Sequence, residues 1–338
     1  MLLLLGWVRP AGAAGPADSP APAVPARVVQ VAGFHLLNTY LPVQDRVDDA
    51  FNRGLLGYTH ATNLTAAWLT LVKTNDIIGL KVFSEPGPLC GTRPALVTAV
   101  VRSLEAAGLP PGQIVLWDKR TADLQAAGYY ELGRDLGVDV VSAQQAGYDS
   151  NTFYLPDSPI IGQLVWGDLE FGQTNREAGK RSFVSNLLSR RLTKNISLAP
   201  LMNEDAAGLC GHFFSLALGS VDNTHRFEND PGRLAVALPE IVAQPAVGDR
   251  TVLYVTDALL GQYQGGPAGY LQFSAILSQI WLSRDPVALD TLGLQELSRL
   301  RHQQQVPEWR SNLDIYTNAA LLQLGQNNPD LIPVETVR

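Results

Sequence analysis

Cysteine is almost missing from this 338-residue chain, with Cys90 and Cys210 the only two. Two thiols cannot hold an iron–sulfur cluster or a four-cysteine zinc site, so no iron–sulfur cofactor is expected. They allow either one disulfide or two free thiols buried as small apolar groups. A basic surplus is missing as well: the formal net charge is −7. Nucleic-acid and anionic membrane surfaces both need clustered lysine and arginine, so no nucleic-acid partner is expected. The one short basic run, Lys180 and Arg181 followed by Arg190, Arg191 and Lys194, has the spacing of the wet face of a helix. Long apolar runs are absent too, which leaves no integral membrane segment in the mature chain. A serine-hydrolase elbow, a phosphate-binding loop and a dinucleotide fingerprint are also missing.

What is present is an ordinary globular composition, 46% hydrophobic and 17% charged. The chain opens MLLLLGWVRPAGAAGPADSPAPAVPA. This apolar run is too short to span a bilayer, and it gives way to Ala, Gly and Pro with Ala11-Gly12-Ala13 resembling a signal-peptidase site. The expectation is an export leader over residues 1–26 and a periplasmic or secreted protein. Two sequons, Asn63-Leu64-Thr65 and Asn195-Ile196-Ser197, carry the acceptor pattern for glycosylation.

The segment from Asp76 to Asp118 reads as a strand, a loop, a helix and a second strand. Ile77, Ile78, Leu80 and Val82 form a short apolar run, and Gly87 and Pro88 break it. Pro94 suits the first turn of a helix whose apolar face is Leu96, Val100, Leu104 and Ala107. Gly108, Pro110 and Pro111 end that helix before the run Ile114 to Trp117. Two parallel strands joined by a helix follow, and ligands of such sheets sit at the carboxyl ends of the strands, where Ser84 to Arg93 would lie.

Elsewhere, strands are expected at Arg27 to Ala32, Val138 to Val141, Ile160 to Val165, Ile196 to Leu198, Thr251 to Thr256 and Gln279 to Leu282. Helices are expected within Val43 to Val72, near Tyr129, and over Ala178 to Leu192, Ala206 to Leu218, Leu234 to Val242 and Asn312 to Leu324. Asp285-Pro286 is a cap followed by a first-turn proline, opening a helix through Val287, Leu289, Leu292 and Leu297. The alternation predicts an α/β protein with mixed, mostly parallel sheets flanked by helices. Its expected parts are a first α/β subdomain over 27–195, a second over 196–305 and a carboxyl-terminal helix and tail over 306–338, with a cleft between the subdomains.

Several side chains carry candidate chemistry. Lys81 interrupts an apolar strand, so it either reaches into a cleft as an anion or carbonyl partner or snorkels to water from an edge. Asp118 and Asp257 follow apolar runs and would stand at strand ends, with Asp205 a third carboxylate. Glu204, His212 and His225 lie close in sequence and offer oxygen and imidazole donors for a divalent metal, without a recognised metal spacing. His35, His60 and His302 lack such neighbours. Pro88, Gly91, Thr92 and Arg93 form one ligand-binding loop, and Gly265 and Gly266, in the dense GQYQGGPAG segment, form another where a backbone can approach a ligand closely.

In chain order, GLKV, the Gly-Pro loop ending in Thr-x-Pro, EAAGLPPGQIVLWD, GLCGHFFSLALG, VTDAL, GGP and SRDPVALDTLG resemble the domain-of-unknown-function 362 family over roughly Gly79 to Leu300. SRDPVALD, with Asp285 and Asp290, is the most specific piece. The strand-loop-helix unit is also similar to the amino-terminal domain of nickel-pincer lactate racemases. The resemblance implies an exported α/β protein without the ferredoxin-type cysteines of some relatives. It also implies a cleft lined by Lys81, residues 88–93, Asp118, Asp205, His225 and Asp257. A Leu-Lys-x-His stretch and a Lys-Asn pair usual in relatives are replaced by Leu201-Met202-Asn203-Glu204 and by Phe214-Ser215. Cys90 and Cys210 stand where relatives often carry serine or threonine, and would face the same cleft. The function expected is binding of, or acid/base or metal-assisted chemistry on, a small polar molecule. The alternatives are a degenerate binding or structural protein and, behind it, a thiol redox protein.

Overall fold

The computed structural model describes residues 26–33, 35–155, 179–307 and 311–338. The expected leader up to residue 25 and the expected strand at Ile160 to Val165 lie outside the described residues. One large sheet organises the rest. Its strands are β1 (Val28–Val31), β2 (Ile78–Lys81), β3 (Ile114–Trp117), β4 (Asp139–Val140), β5 (Lys194–Glu204), β6 (Thr251–Gln262), β7 (Ser274–Ser283) and β8 (Val334–Val337). They lie in the order β8-β1-β7-β6-β5-β2-β3-β4, along which only the two pairings made by β7 are antiparallel, and a short ninth strand, Gly208–Leu209, pairs antiparallel with the end of β5. The sheet is therefore mixed and mostly parallel, as the alternation of strands and helices predicts.

Period-2 alternation sorts side chains onto two faces. Ile78 and Leu80 of β2, Ile114 and Leu116 of β3, Ile196 and Leu198 of β5 and Leu253 and Val255 of β6 join one apolar core. Helices α1 (Gln44–Thr59) and α2 (Pro94–Ala106) cover that core through Phe51, Leu55, Leu96 and Val100. The opposite face carries Val115, Trp117, Leu201 and Tyr254 under α3 (His212–Ser220), α4 (Pro231–Val242) and α5 (Pro286–Gln303). The result is three layers, helices on both sides of a sheet buried on both faces.

The expected division into subdomains is corrected by this sheet. The boundary at residue 195 falls inside β5, and β1 and β8, from opposite ends of the chain, pair with each other. What reads along the sequence as two α/β halves is one sheet whose first-half helices cover one face and second-half helices the other. Three local expectations change as well. The helix predicted over Ala178 to Leu192 is a strand, Ser182–Ser185, followed by a π turn, Leu187–Arg191. Tertiary partners override the periodicity: the strand pairs with Tyr148–Tyr154, and Asp222 accepts from the Phe183 amide at 2.7 Å. Arg190 and Arg191 pair with Asp149 and Asp139 rather than forming a bare wet face. The helix expected from Ala206 starts at His212, because Gly208–Leu209 first turns back to pair with the end of β5. β6 runs on to Gln262, which leaves Asp257 in mid-strand rather than at a strand end.

Other boundaries follow local chemistry. Pro94 and Pro286 open α2 and α5 as expected, and the Asp285 carboxylate accepts from the Ala288 amide at 2.8 Å. Asn63 caps the helix Leu64–Leu69 on the surface, whereas Asn195 is buried against Trp117 and Thr251, which closes the second sequon to modification.

Candidate functional site

From β2 the connections lead outward through β3 and β4 in one direction, while β5, on the other side of β2, leads on to β6 and β7 in the other. This reversal between β2 and β5 is a topological switch point. The strand-connecting loops on its two sides leave over opposite faces there, so a crevice opens at the carboxyl ends of the strands. A cleft of about 160 Å³ occupies that place. Its walls come from the segments after β2 (Phe83, Glu85) and β3 (Asp118, Lys119, Arg120, Asp123) and from the end of β5 (Glu204). One side of α3 adds Phe214, Ser215, Leu218 and Gly219, and Thr224, Glu228, Asn229 and Pro267 complete it.

Lys81 lies directly under this cleft and is fully buried. Its Nζ meets Asp118 Oδ1 at 2.8 Å and donates to Ser215 Oγ at 3.0 Å and to the Val82 carbonyl at 2.5 Å. These three partners use all three ammonium hydrogens. Burial pulls the Lys81 pKa below the usual lysine range, and Asp118 opposes that shift. Asp118 is satisfied in turn by the Ser84 amide at 2.8 Å, the Ser84 hydroxyl at 2.6 Å and the Lys119 amide at 2.8 Å. Gly219 makes the arrangement sterically feasible, since a Cβ there would overlap Lys81 Cε and stand 3.0 Å from Nζ.

Above the pair, the cleft wall is acidic. Arg120 bridges Glu85 at 3.6 Å and Asp123 at 3.8 Å, and Lys119 donates to Thr224 at 2.8 Å. Glu228 accepts from the Thr224 hydroxyl and from His225 Nδ1, each at 2.5 Å. Desolvation raises the carboxyl pKa of Glu85, Asp123 and Glu204, with Arg120 opposing it at the first two and the Ala207 and Ala206 amides at the third. Groups so shifted hold protons more readily than free carboxylates, which suits general acid or base chemistry.

Of the residues singled out from sequence, Asp118 and Glu204 line the cleft and Lys81 supports it. The others serve elsewhere. Arg93 and Asp257 form a buried pair, Nη1 to Oδ1 at 2.6 Å, and the Arg93 amide adds a bond to the same carboxylate at 2.8 Å. Thr92 ties the loop to the sheet through Phe83 and Leu198, and Tyr129 donates to its carbonyl. Gly91 is buried and Pro88 exposed on that loop. The Pro88 to Arg93 segment thus acts as a clamp that docks α2 on the sheet rather than as cleft wall. Asp205 is exposed at a hairpin turn, where Glu204 accepts from the Ala206 and Ala207 amides.

Gly266 packs so closely on the Asn203 backbone that no side chain fits, and its amide donates to Asn203 Oδ1 at 3.1 Å. Gly265 sits beside Tyr270. These two glycines fold the loop onto β5, and only the following Pro267 reaches the cleft.

The expected metal donors are not brought together. His212 is buried between β5 and β6, its ring nitrogens taken by Ser197 at 2.9 Å and Thr256 at 3.1 Å, and burial pulls its pKa down to about 3. His225 is largely exposed beside Glu228. Among the described residues no group of three or more His, Cys, Asp or Glu side chains is placed to hold a metal ion. Cys90 and Cys210 are both free and buried. Cys90 packs on Gly269, and the Cys210 thiol reaches the Asn203 carbonyl at 3.5 Å.

The sequence reading missed Glu85, Lys119, Arg120, Asp123 and the α3 side chains. The polar run that begins at Asp118 directly after β3 was the available signal for three of them. Among the described residues no helix is long and apolar enough to cross a membrane. No family model matches the chain, and no curated protein is similar to it.

Proposed function

We propose that this protein binds a small polar molecule in the cleft between the ends of β2, β3 and β5, and presents it to carboxyl groups suited to proton transfer. The observation that carries the reading is the convergence of buried Glu204, part-buried Asp123 and half-exposed Glu85 at the switch point of the sheet, where desolvation raises the pKa of each carboxyl. A general acid or base works best with a pKa near the operating pH, and desolvation moves a carboxyl in that direction. The order of motifs from Gly79 to Leu300 supports placing the chain with the domain-of-unknown-function 362 family, whose cleft it would share.

A second reading, ligand binding without catalysis, is favoured by Lys81. All three of its hydrogens are committed to protein partners, so it supports Asp118 and is not free to meet a substrate.

Thermal-shift screening of small polar metabolites on the unaltered protein and on Leu218→Trp, which fills the cleft, tests the proposal. A ligand should raise the melting temperature of the first and not of the second. Equal shifts in both would refute the cleft as its site. Recovery of the bound ligand chemically changed selects catalysis, and recovery unchanged selects binding.

A further inference from the structure

We infer that the ligand of this cleft is a small organic cation, an amine or quaternary ammonium carried on a short apolar body. The inference rests on the reading of the cleft as the ligand site and assigns the chemistry of what fills it. Five carboxylates, Glu85, Asp118, Asp123, Glu204 and Glu228, line the cleft among the described residues, against two cations, Lys119 and Arg120. Groups of both signs have partners within the protein, Arg120 between Glu85 and Asp123, Lys119 on Thr224, Asp118 on Lys81 and Glu228 on Thr224 and His225, so the excess of carboxyl groups sets the sign of the site. Adding Lys81 beneath Asp118 still leaves the site with more negative than positive charge.

The apolar part of the lining is aromatic. Phe83 and Phe214 meet edge to face with ring centres 6.2 Å apart and an interplanar angle of 72°, and Leu218 stands beside them in the lining. Carboxylates beside phenyl rings recognise a cation twice, through charge and through the ring quadrupole. An anion would meet the same wall unfavourably. The volume of about 160 Å³ is similar to that of a protein cavity that takes up benzene, so it suits an occupant of about six or seven non-hydrogen atoms.

The experiment is calorimetric titration of the full chain with choline, putrescine, magnesium chloride and malonate, repeated on Phe214→Leu and on the double variant Glu85→Gln/Asp123→Asn. Choline or putrescine should bind, malonate should not. Phe214→Leu should weaken the organic cation about threefold to tenfold through loss of one ring. The double variant frees Arg120 and should weaken it further while admitting malonate. Binding of malonate alone by the unaltered protein, abolished by Leu218→Trp, would overturn the cation assignment and leave the cleft reading standing. Heat from magnesium alone, or organic-cation affinities unchanged in both variants, would overturn it as well. Silence from all four probes also overturns the assignment, and the metabolite screen then decides the cleft reading by itself.

Discussion

The buried Lys81–Asp118 pair allows a quantitative test of how the cleft floor is held. At 2.8 Å and an effective dielectric near 20, the attraction is about 6 kcal/mol, and desolvation of two buried ions offsets most of it. The net worth of the intact pair is therefore small, while removing one partner leaves the other charge buried and uncompensated. Lys81→Met should destabilise the protein by about 3–5 kcal/mol. Asp118→Asn should cost a similar amount, since the buried ammonium then loses its counter-charge and keeps only neutral acceptors such as Ser215 and the Val82 carbonyl. The double variant Lys81→Met/Asp118→Asn should be less damaging than the sum of the two, with a coupling energy of about 2 kcal/mol or more. Gly219→Ala gives an independent arm, because its Cβ displaces the lysine side chain without removing either charge. Urea unfolding followed by far-ultraviolet circular dichroism supplies the free energies. Additive single effects, or a Lys81→Met protein as stable as the unaltered one, would refute the claim that this pair holds the floor.

Two further outcomes follow from groups away from the cleft. Asp290, buried, holds the His212 and Phe213 amides at the start of α3 at 2.8 and 3.0 Å, and burial raises its pKa to about 7. Its protonated form is favoured in the fold, so its contribution to stability is complete below about pH 4 and lost as pH rises through 7. His212 acts in the opposite sense: with a pKa of about 3, its contribution is complete above about pH 6.5 and lost as pH falls. Asp290→Asn should gain on the unaltered protein by as much as about 4 kcal/mol between pH 4 and pH 7 in urea titrations, and a constant difference would exclude the mechanism. For the cysteines, thiol titration in denaturant without reductant should count two, with Cys210 unreactive in the native protein because it is fully buried and its pKa is raised by that burial. A count of zero would restore the disulfide.

Much of the architecture was legible from local chemistry. The run Ile114 to Trp117, the Pro94 and Asp285-Pro286 helix starts and the helix spacing of Leu96, Val100 and Leu104 each state a conformation that the surrounding structure then leaves in place. Where tertiary partners compete with local preference, legibility ends. Phe183, Leu187, Leu188 and Leu192 have a helical period, yet Tyr148–Tyr154 and Asp222 draw the first part of that segment into a strand. The site was less legible than the fold. Asp118 stands out as a carboxylate following an apolar strand, but nothing near Gly219 in the chain shows that this glycine makes room for a lysine 138 positions earlier. Arg93 and Asp257 read as site residues because they are polar beside strands. Their mutual distance of 2.6 Å makes them a clamp.

The sequence by itself determined that this is an α/β chain with few thiols and an acidic balance, because composition and short-range periodicity act within a few residues. It also determined where the strand-loop-helix unit around Lys81 lies. Only the tertiary structure decided that the two apparent halves share one sheet, that His212 and the cysteines stay out of the cleft lining, and that Glu85, Asp123 and Glu204 converge on it. Those outcomes depend on strand order. The switch between β2 and β5 is set by which edges pair after the chain has folded back, and no local pattern encodes that choice.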